Sequence, residues 1–270
     1  MFSLAGKTAV VTGGGGGLGR GMAMALAQAG AAVAVAGRRS EALEATVAAI
    51  RDAGGKAAAL ACDITQPGAA AGLIDSAVAE LGGRLDIWVN NAGSAAPADV
   101  GRLIGLSEDQ WDRVVDLNLK WSFFAAQAAA RAMGGDGKGG SIINLSSRSG
   151  SQPNPLTGQY GAAKAGIESL TATMAVEWGH LGIRVNAIAP GVVVTEANAD
   201  RMSGPRAQKQ IDSVPMGRLG VPGDVAGLCV YLASDEAAWV SGTVIPVNGG
   251  SRVAVAYMAY LHQIAKENAQ

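Results

Sequence analysis

Thr8-Ala9-Val10-Val11-Thr12-Gly13-Gly14-Gly15-Gly16-Gly17-Leu18-Gly19 is the stretch whose reading decides the fold. Its first four residues are apolar or β-branched and read as a buried strand. A helical pattern then takes over near 18–29, so the glycine run is a strand-to-helix turn rather than a free linker. Glycine there lets backbone N–H groups approach a diphosphate, while the helix N-terminus supplies partial positive charge. Gly13, Gly16, Gly17, Leu18 and Gly19 are therefore the expected cradle of a dinucleotide. No Gly-Lys-Ser/Thr follows, which argues against a nucleoside-triphosphatase loop.

Outward from this turn the same alternation repeats. Strands are expected at Thr8–Val11, Ala32–Ala36, Ala57–Ala61, Ile87–Asn90, Ser141–Leu145, Arg184–Ile188 and Thr243–Val247. Helices are expected near 18–29, 40–53, 67–81, 107–133, 158–180 and 223–233. Several strands are apolar at successive positions, which suits a parallel sheet covered on both faces. The expectation is an α/β chain: a single-domain Rossmann fold with a doubly wound, parallel, seven-stranded sheet and helices on both faces. The glycine-rich stretch 134–140 reads as a helix stop. Residues 1–252 are taken as the dinucleotide-binding and catalytic domain, and 253–270 as a C-terminal extension. In that extension Tyr257, Met258, Leu261 and Ile264 share one helix face, which suggests packing on its own or a neighbouring subunit.

Composition narrows the function. With 49% hydrophobic and 16% charged residues the chain is no disordered segment, and a net charge of −1 gives no footprint for nucleic acid or an anionic membrane. No signal segment or membrane span is evident, so a cytoplasmic location is expected. Cys62 and Cys229 lack metal-ligand spacing and read as small buried hydrophobes in a reducing compartment; no metal is expected. The two histidines, His180 and His262, leave little room for a histidine base or ligand set.

Two features carry chemistry. Tyr160 and Lys164 stand four apart in Tyr160-Gly161-Ala162-Ala163-Lys164, which puts a phenol beside an ammonium on one helix face. A positive charge there is expected to favour the phenolate and so ease proton transfer to or from an alcohol or carbonyl oxygen. At the end of the second strand, Ala36-Gly37-Arg38-Arg39 offers no carboxylate for an adenosine 2′-hydroxyl. Guanidinium groups there suit a 2′-phosphate, so NADP is expected over NAD. Ser40 is expected to cap the helix that follows.

The ordered set Thr12-to-Gly19, Asn90-Asn91-Ala92-Gly93, Ser147, Tyr160-to-Lys164 and Pro190-Gly191 followed by Thr195 resembles the short-chain dehydrogenase/reductase family over residues 5–250. The resemblance implies further roles. Asp63, with Ile64 after it, would contact adenine, while Asn91, Ala92 and Gly93 belong to the turn that steadies the sheet behind the cofactor. Asn118 would hold a water in a proton relay. Ser147 would hydrogen-bond the substrate oxygen, Tyr160 would transfer the proton, and Lys164 would hold the nicotinamide ribose. Pro190, Gly191, Val193 and Thr195 would fix the carboxamide. The family assembly implies a homotetramer or dimer.

The implied activity is interconversion of a secondary alcohol and a ketone with NADP(H). A 3-oxoacyl-thioester reductase is the alternative enzyme, and a silent dinucleotide sensor is a rival that should have lost one of Ser147, Tyr160 and Lys164. Acyl transfer is disfavoured, because no Gly-x-Ser-x-Gly elbow surrounds Ser147. The segments Arg148–Thr157 and Glu196–Val214 should line the substrate side with Leu156, Met202 and Val214. No basic cluster there promises to clamp a charged substrate.

Overall fold

The seven expected strands form one parallel sheet in the computed structural model, in the order β3-β2-β1-β4-β5-β6-β7. They are β1 Thr8–Thr12, β2 Ala32–Gly37, β3 Lys56–Ala61, β4 Ile87–Asn90, β5 Gly140–Leu145, β6 Ile183–Pro190 and β7 Val244–Val247. The structure describes residues 2–251 apart from Asp136, so the helix face expected at Tyr257 to Ile264 lies outside the described residues.

Both faces of the sheet are covered, and β1 shows how. All five of its residues are buried, yet successive side chains go to opposite sides. Ala9 and Val11 join Met22, Leu26, Val35, Leu43, Val225 and Leu232 on one face. Val10 joins Leu73, Trp88, Ala126, Met133 and Val185 on the other. The helices α1 Gly17–Gln28, α2 Ser40–Asp52 and α8 Pro222–Ala233 bring residues to the first core. The second draws on α3 Ala69–Leu81, α5 Trp121–Gly134 and α6 Gly158–Trp178. The remaining helices are α4 Glu108–Val115 and α7 Gly204–Ile211. Alanine dominates the buried face of α5, with Ala125, Ala126, Ala129 and Ala130, which lets its backbone pack close to the strands.

Four sequence expectations need correction. The helix foreseen at 107–133 is two: α4 starts in a Ser107/Gln110 capping box, and a wide π turn at Asp116–Lys120 separates it from α5. Ser40 is the first residue of α2, not its cap; Arg39 takes the cap position, and no side chain bonds the free amides. The sequence also gave no warning of α7, a short helix after Ser203 with Pro205 in its first turn. Cys62 is only half-buried, whereas Cys229 sits in the core, where burial pushes its thiol up to about 12. Among the described residues no helix is long and apolar enough to cross a membrane.

Candidate active site

Every motif singled out above leaves the sheet at the carboxyl ends of its strands, where ligands of open α/β sheets bind. The ends of β1 and β4 are stitched together first. The Thr12 hydroxyl donates to the Val89 carbonyl at 3.1 Å and accepts from the amides of Asn91 and Ala92, each at 3.0 Å. Asn91 Nδ2 donates back to the carbonyls of Thr12 and Gly13 at 2.8 and 3.2 Å. Gly13 can meet that side chain only because it lacks a Cβ: its φ is +67°, and a Cβ would lie 2.8 Å from Asn91 Nδ2. A Cβ on Gly19 would collide with the Gly13 carbonyl oxygen. The N-terminus of α1 carries no side-chain cap and no acidic residue in its first turn, so its own sequence leaves its partial positive charge uncompensated. That fits a diphosphate.

The groups expected to move a proton come together one strand further on. Ser147 follows β5 in extended backbone, and its hydroxyl accepts from the Ser149 amide at 3.2 Å. Tyr160 lies in the first turn of α6, where burial raises its pKa and a hydrogen bond with Ser147 opposes that rise. Lys164 is buried, with Nζ donating to the Leu145 carbonyl at 2.7 Å and lying 5.4 Å from the centre of the Tyr160 ring. Burial lowers its pKa to about 8.

In this geometry burial is the largest influence on the Tyr160 phenol, and it raises the pKa rather than lowering it. The ammonium is tied to a carbonyl and desolvation dominates the phenol. Asn118 occupies the π turn and is fully buried. Its Nδ2 donates to the carbonyls of Ser94 and Val114 at 2.8 and 2.9 Å, while its Oδ1 has no partner. Gly93 fits between the two groups: a Cβ there would lie 2.5 Å from Asn118 Oδ1 and 3.3 Å from Lys164 Nζ.

The recognition groups are more open. Arg38 and Arg39 are exposed after Gly37 at the end of β2. Asp63 is not free to reach far: its Oδ1 accepts from the Thr65 amide at 3.0 Å and hydroxyl at 2.8 Å, and these bonds lower its pKa, with help from the Arg38 charge. Beyond β6, Gly191 passes so close to β7 that a Cβ would lie 2.8 Å from Asn248 Cα.

Val193 pairs with Gly220 in an isolated bridge, and Asn198 fixes the next turn. Asn198 Oδ1 accepts from the Thr195 amide at 2.8 Å and its Nδ2 donates to the Val193 carbonyl at 2.9 Å. Thr195 is thereby held over the glycine turn, its Cγ2 3.3 Å from where a Gly17 Cβ would sit. Beside this loop lies a cavity of about 170 Å³, lined by Val193, Val214, Met216 and Val247 among others, with none of Ser147, Tyr160 or Lys164 in its wall. On the substrate side Leu156 is half exposed at φ +72°, with its carbonyl accepting from the Gly101 amide at 2.8 Å.

Sequence reasoning named Thr12 only as part of a motif and missed Asn198 and Glu196. An asparagine three residues past Thr195 is a turn signal that could have found the first. Glu196 had no signal, because its partner, the Gly17 amide, is 179 positions away.

A parallel sheet with a glycine turn after its first strand and a serine, tyrosine and lysine gathered beyond the carboxyl end of β5 defines a class. The chain belongs to the short-chain dehydrogenase/reductase family, oxidoreductases that act on alcohols and ketones with a nicotinamide dinucleotide. The matching family, described as enoyl-(acyl carrier protein) reductase, spans residues 14–252. The chain is 43% identical to 3beta-hydroxysteroid dehydrogenase 1 of Eggerthella lenta, over 92% of this chain and 94% of that one. A short-chain type dehydrogenase/reductase from Mycobacterium marinum superposes with a TM-score of 0.87 at 39% identity, covering 94% of this chain and 98% of the other. A provisionally assigned 2-deoxy-d-gluconate 3-dehydrogenase from Agrobacterium tumefaciens, solved with bound NADP, gives a TM-score of 0.85 at 38% identity, covering 93% and 98%.

Proposed function

We propose that the protein is an NADP(H)-dependent oxidoreductase that interconverts a secondary alcohol and a ketone, with Tyr160 as the proton donor and acceptor. The observation that carries this reading is a chain of neighbours, with Ser147 hydrogen-bonded to Tyr160, Lys164 beside the Tyr160 ring, and Lys164 and Asn118 both facing Gly93. The substrate oxygen would take hydrogen bonds from the hydroxyls of Ser147 and Tyr160. In reduction the Tyr160 hydroxyl gives its proton to that oxygen; in oxidation it takes the proton back.

A phenol whose pKa burial raises is a poor base alone, so a cation must assist it. Lys164, at about 8, carries charge through the neutral range and stands one helical turn away. The orphaned Asn118 Oδ1 supports the relay role, because a buried acceptor without a partner calls for a water. The dinucleotide, when bound, supplies or accepts the hydride at the substrate carbon.

Its holders would be the amides of the glycine turn for the diphosphate, Lys164 and Tyr160 for the ribose, and the 190–195 loop for the carboxamide. Asp63 and Ile64 would flank the adenine. Arg38 and Arg39, exposed directly after a second strand that ends in Gly37 rather than in a carboxylate, support NADP over NAD. The bound NADP in the Agrobacterium tumefaciens relative supports the same choice.

The test is a spectrophotometric screen of ketones and secondary alcohols against NADPH and NADH, with products identified. Turnover of a carbonyl with NADPH preferred is the expected outcome. Absence of any dinucleotide oxidation across the panel, or a preference for NADH, would refute the activity or the cofactor choice respectively.

A further inference from the structure

The amide of Gly17 donates to the carboxylate Oε2 of Glu196 at 3.1 Å. Gly17 is the first residue of α1, the helix end that carries no acid or cap of its own. The chain thus puts a negative charge on the very amides that the reading above reserves for the cofactor's diphosphate.

The approach is built rather than incidental. Asn198 bonds both sides of the turn that presents Thr195 and Glu196, at 2.8 and 2.9 Å, and Thr195 packs over Gly17. That turn is anchored in turn to the sheet side of the molecule, with the Val194 amide donating to the Gly220 carbonyl and the Gly220 amide to the Val192 carbonyl, each at 2.9 Å. Gly17 itself has φ +52°, a conformation that a residue with a Cβ would adopt only under strain.

We propose that Glu196 is an affinity determinant for the cofactor: an internal anion that occupies the diphosphate position and must leave when the dinucleotide binds. The proposal rests on the dinucleotide reading of the glycine turn. Two physical effects act together. A carboxylate and a diphosphate compete for the same helix N-terminus, and if both stayed nearby their like charges would repel. Displacement also releases the first residue of the 196–214 segment, which lies toward the substrate side.

Calorimetric titration of NADPH into the full-length wild type, Glu196→Gln and Glu196→Ala tests this, with thermal unfolding as a control for folding. Loss of a competing charge at an exposed helix end is expected to lower Kd about two- to fivefold, more for Glu196→Ala than for Glu196→Gln, and the gain should shrink at high salt. Affinity that stays the same or weakens in both folded variants would overturn the proposal while leaving the cofactor reading intact. A wild type that binds neither NADPH nor NADH would instead overturn the cofactor reading, and this proposal with it.

Discussion

The site has two halves that are held in opposite ways. Around Gly93 the groups are buried and each is fixed by short bonds: Lys164 to the Leu145 carbonyl, Asn118 to Ser94 and Val114. Behind them a further buried ladder runs from Trp88 through Asn90 and Asn144 to Thr171, with each bond between 2.7 and 2.9 Å. Elsewhere in the site, Arg38 and Arg39 stand in solvent after β2, and Glu196 holds the start of α1 through one exposed bond. The contrast teaches that chemistry here depends on geometry bought by burial, whereas recognition depends on charges that water already screens. Substitutions in the first half should change rates steeply; those in the second should change affinities gently.

The steepest test is Tyr160→Phe. It keeps the ring and removes the transferable proton, so turnover of an identified substrate should fall by about 10² to 10⁴ while NADPH affinity stays largely unchanged. Near-normal turnover would break the first half of the comparison. Next comes Arg38→Ala, which should weaken NADPH binding by about tenfold and leave NADH nearly untouched, since an exposed charge-assisted bond to a phosphate is worth little more. Equal losses for both dinucleotides in parallel titrations would show that the guanidinium reads no 2′-phosphate.

A subtler test uses pH. Lys164 is held to about 8 in the folded chain, whereas an unfolded lysine titrates at about 10.4. Below pH about 8 both states hold the proton and the cost of burying the charge is paid in full. Between about 8 and 10.4 the unfolded state binds more protons than the folded one, so this group makes stability rise with pH. The difference in unfolding free energy between wild type and Lys164→Met should therefore move in favour of wild type across that window, as read by denaturant titration. A flat difference would mean that Lys164 is better solvated than its burial implies. The smallest effect concerns Leu156, whose φ of +72° suits glycine or asparagine better than a branched apolar residue. Leu156→Gly should change stability by no more than about 1 kcal/mol, with relief of strain offset by the entropy of glycine, and calorimetric melting would register it.

The fold was legible because its signals are local. Seven apolar runs and the glycine turn fall where the periodicity put them, with ends shifted by a residue or two. The order of the motifs also pointed to the gathered residues, since each follows a strand and the strands are parallel. What stayed hidden depends on contacts between distant positions. The π turn at Asp116–Lys120 follows from burying Asn118 against Ser94, and no helical periodicity in 107–133 announces it. The state of Lys164 could not be read from its spacing to Tyr160, because desolvation and the Leu145 carbonyl decide it. Nor did spacing show that Thr65, two residues on, holds one oxygen of the Asp63 carboxylate.

The wide turn at Asp116–Lys120 also acts as a phase corrector for everything after it. Each residue added to or removed from an α-helix rotates the remainder by about 100°. A π turn instead takes up one extra residue within nearly one turn's rotation, so deleting one residue here would restore a regular helix and leave Ala125, Ala126 and Ala129 facing the sheet they now cover. The same deletion would carry Asn118 away from Gly93. The extra residue between Val115 and Trp121 is thus held by the placement of Asn118 beside Gly93 and not by the packing of α5, so its removal should leave the core in place and move only that asparagine.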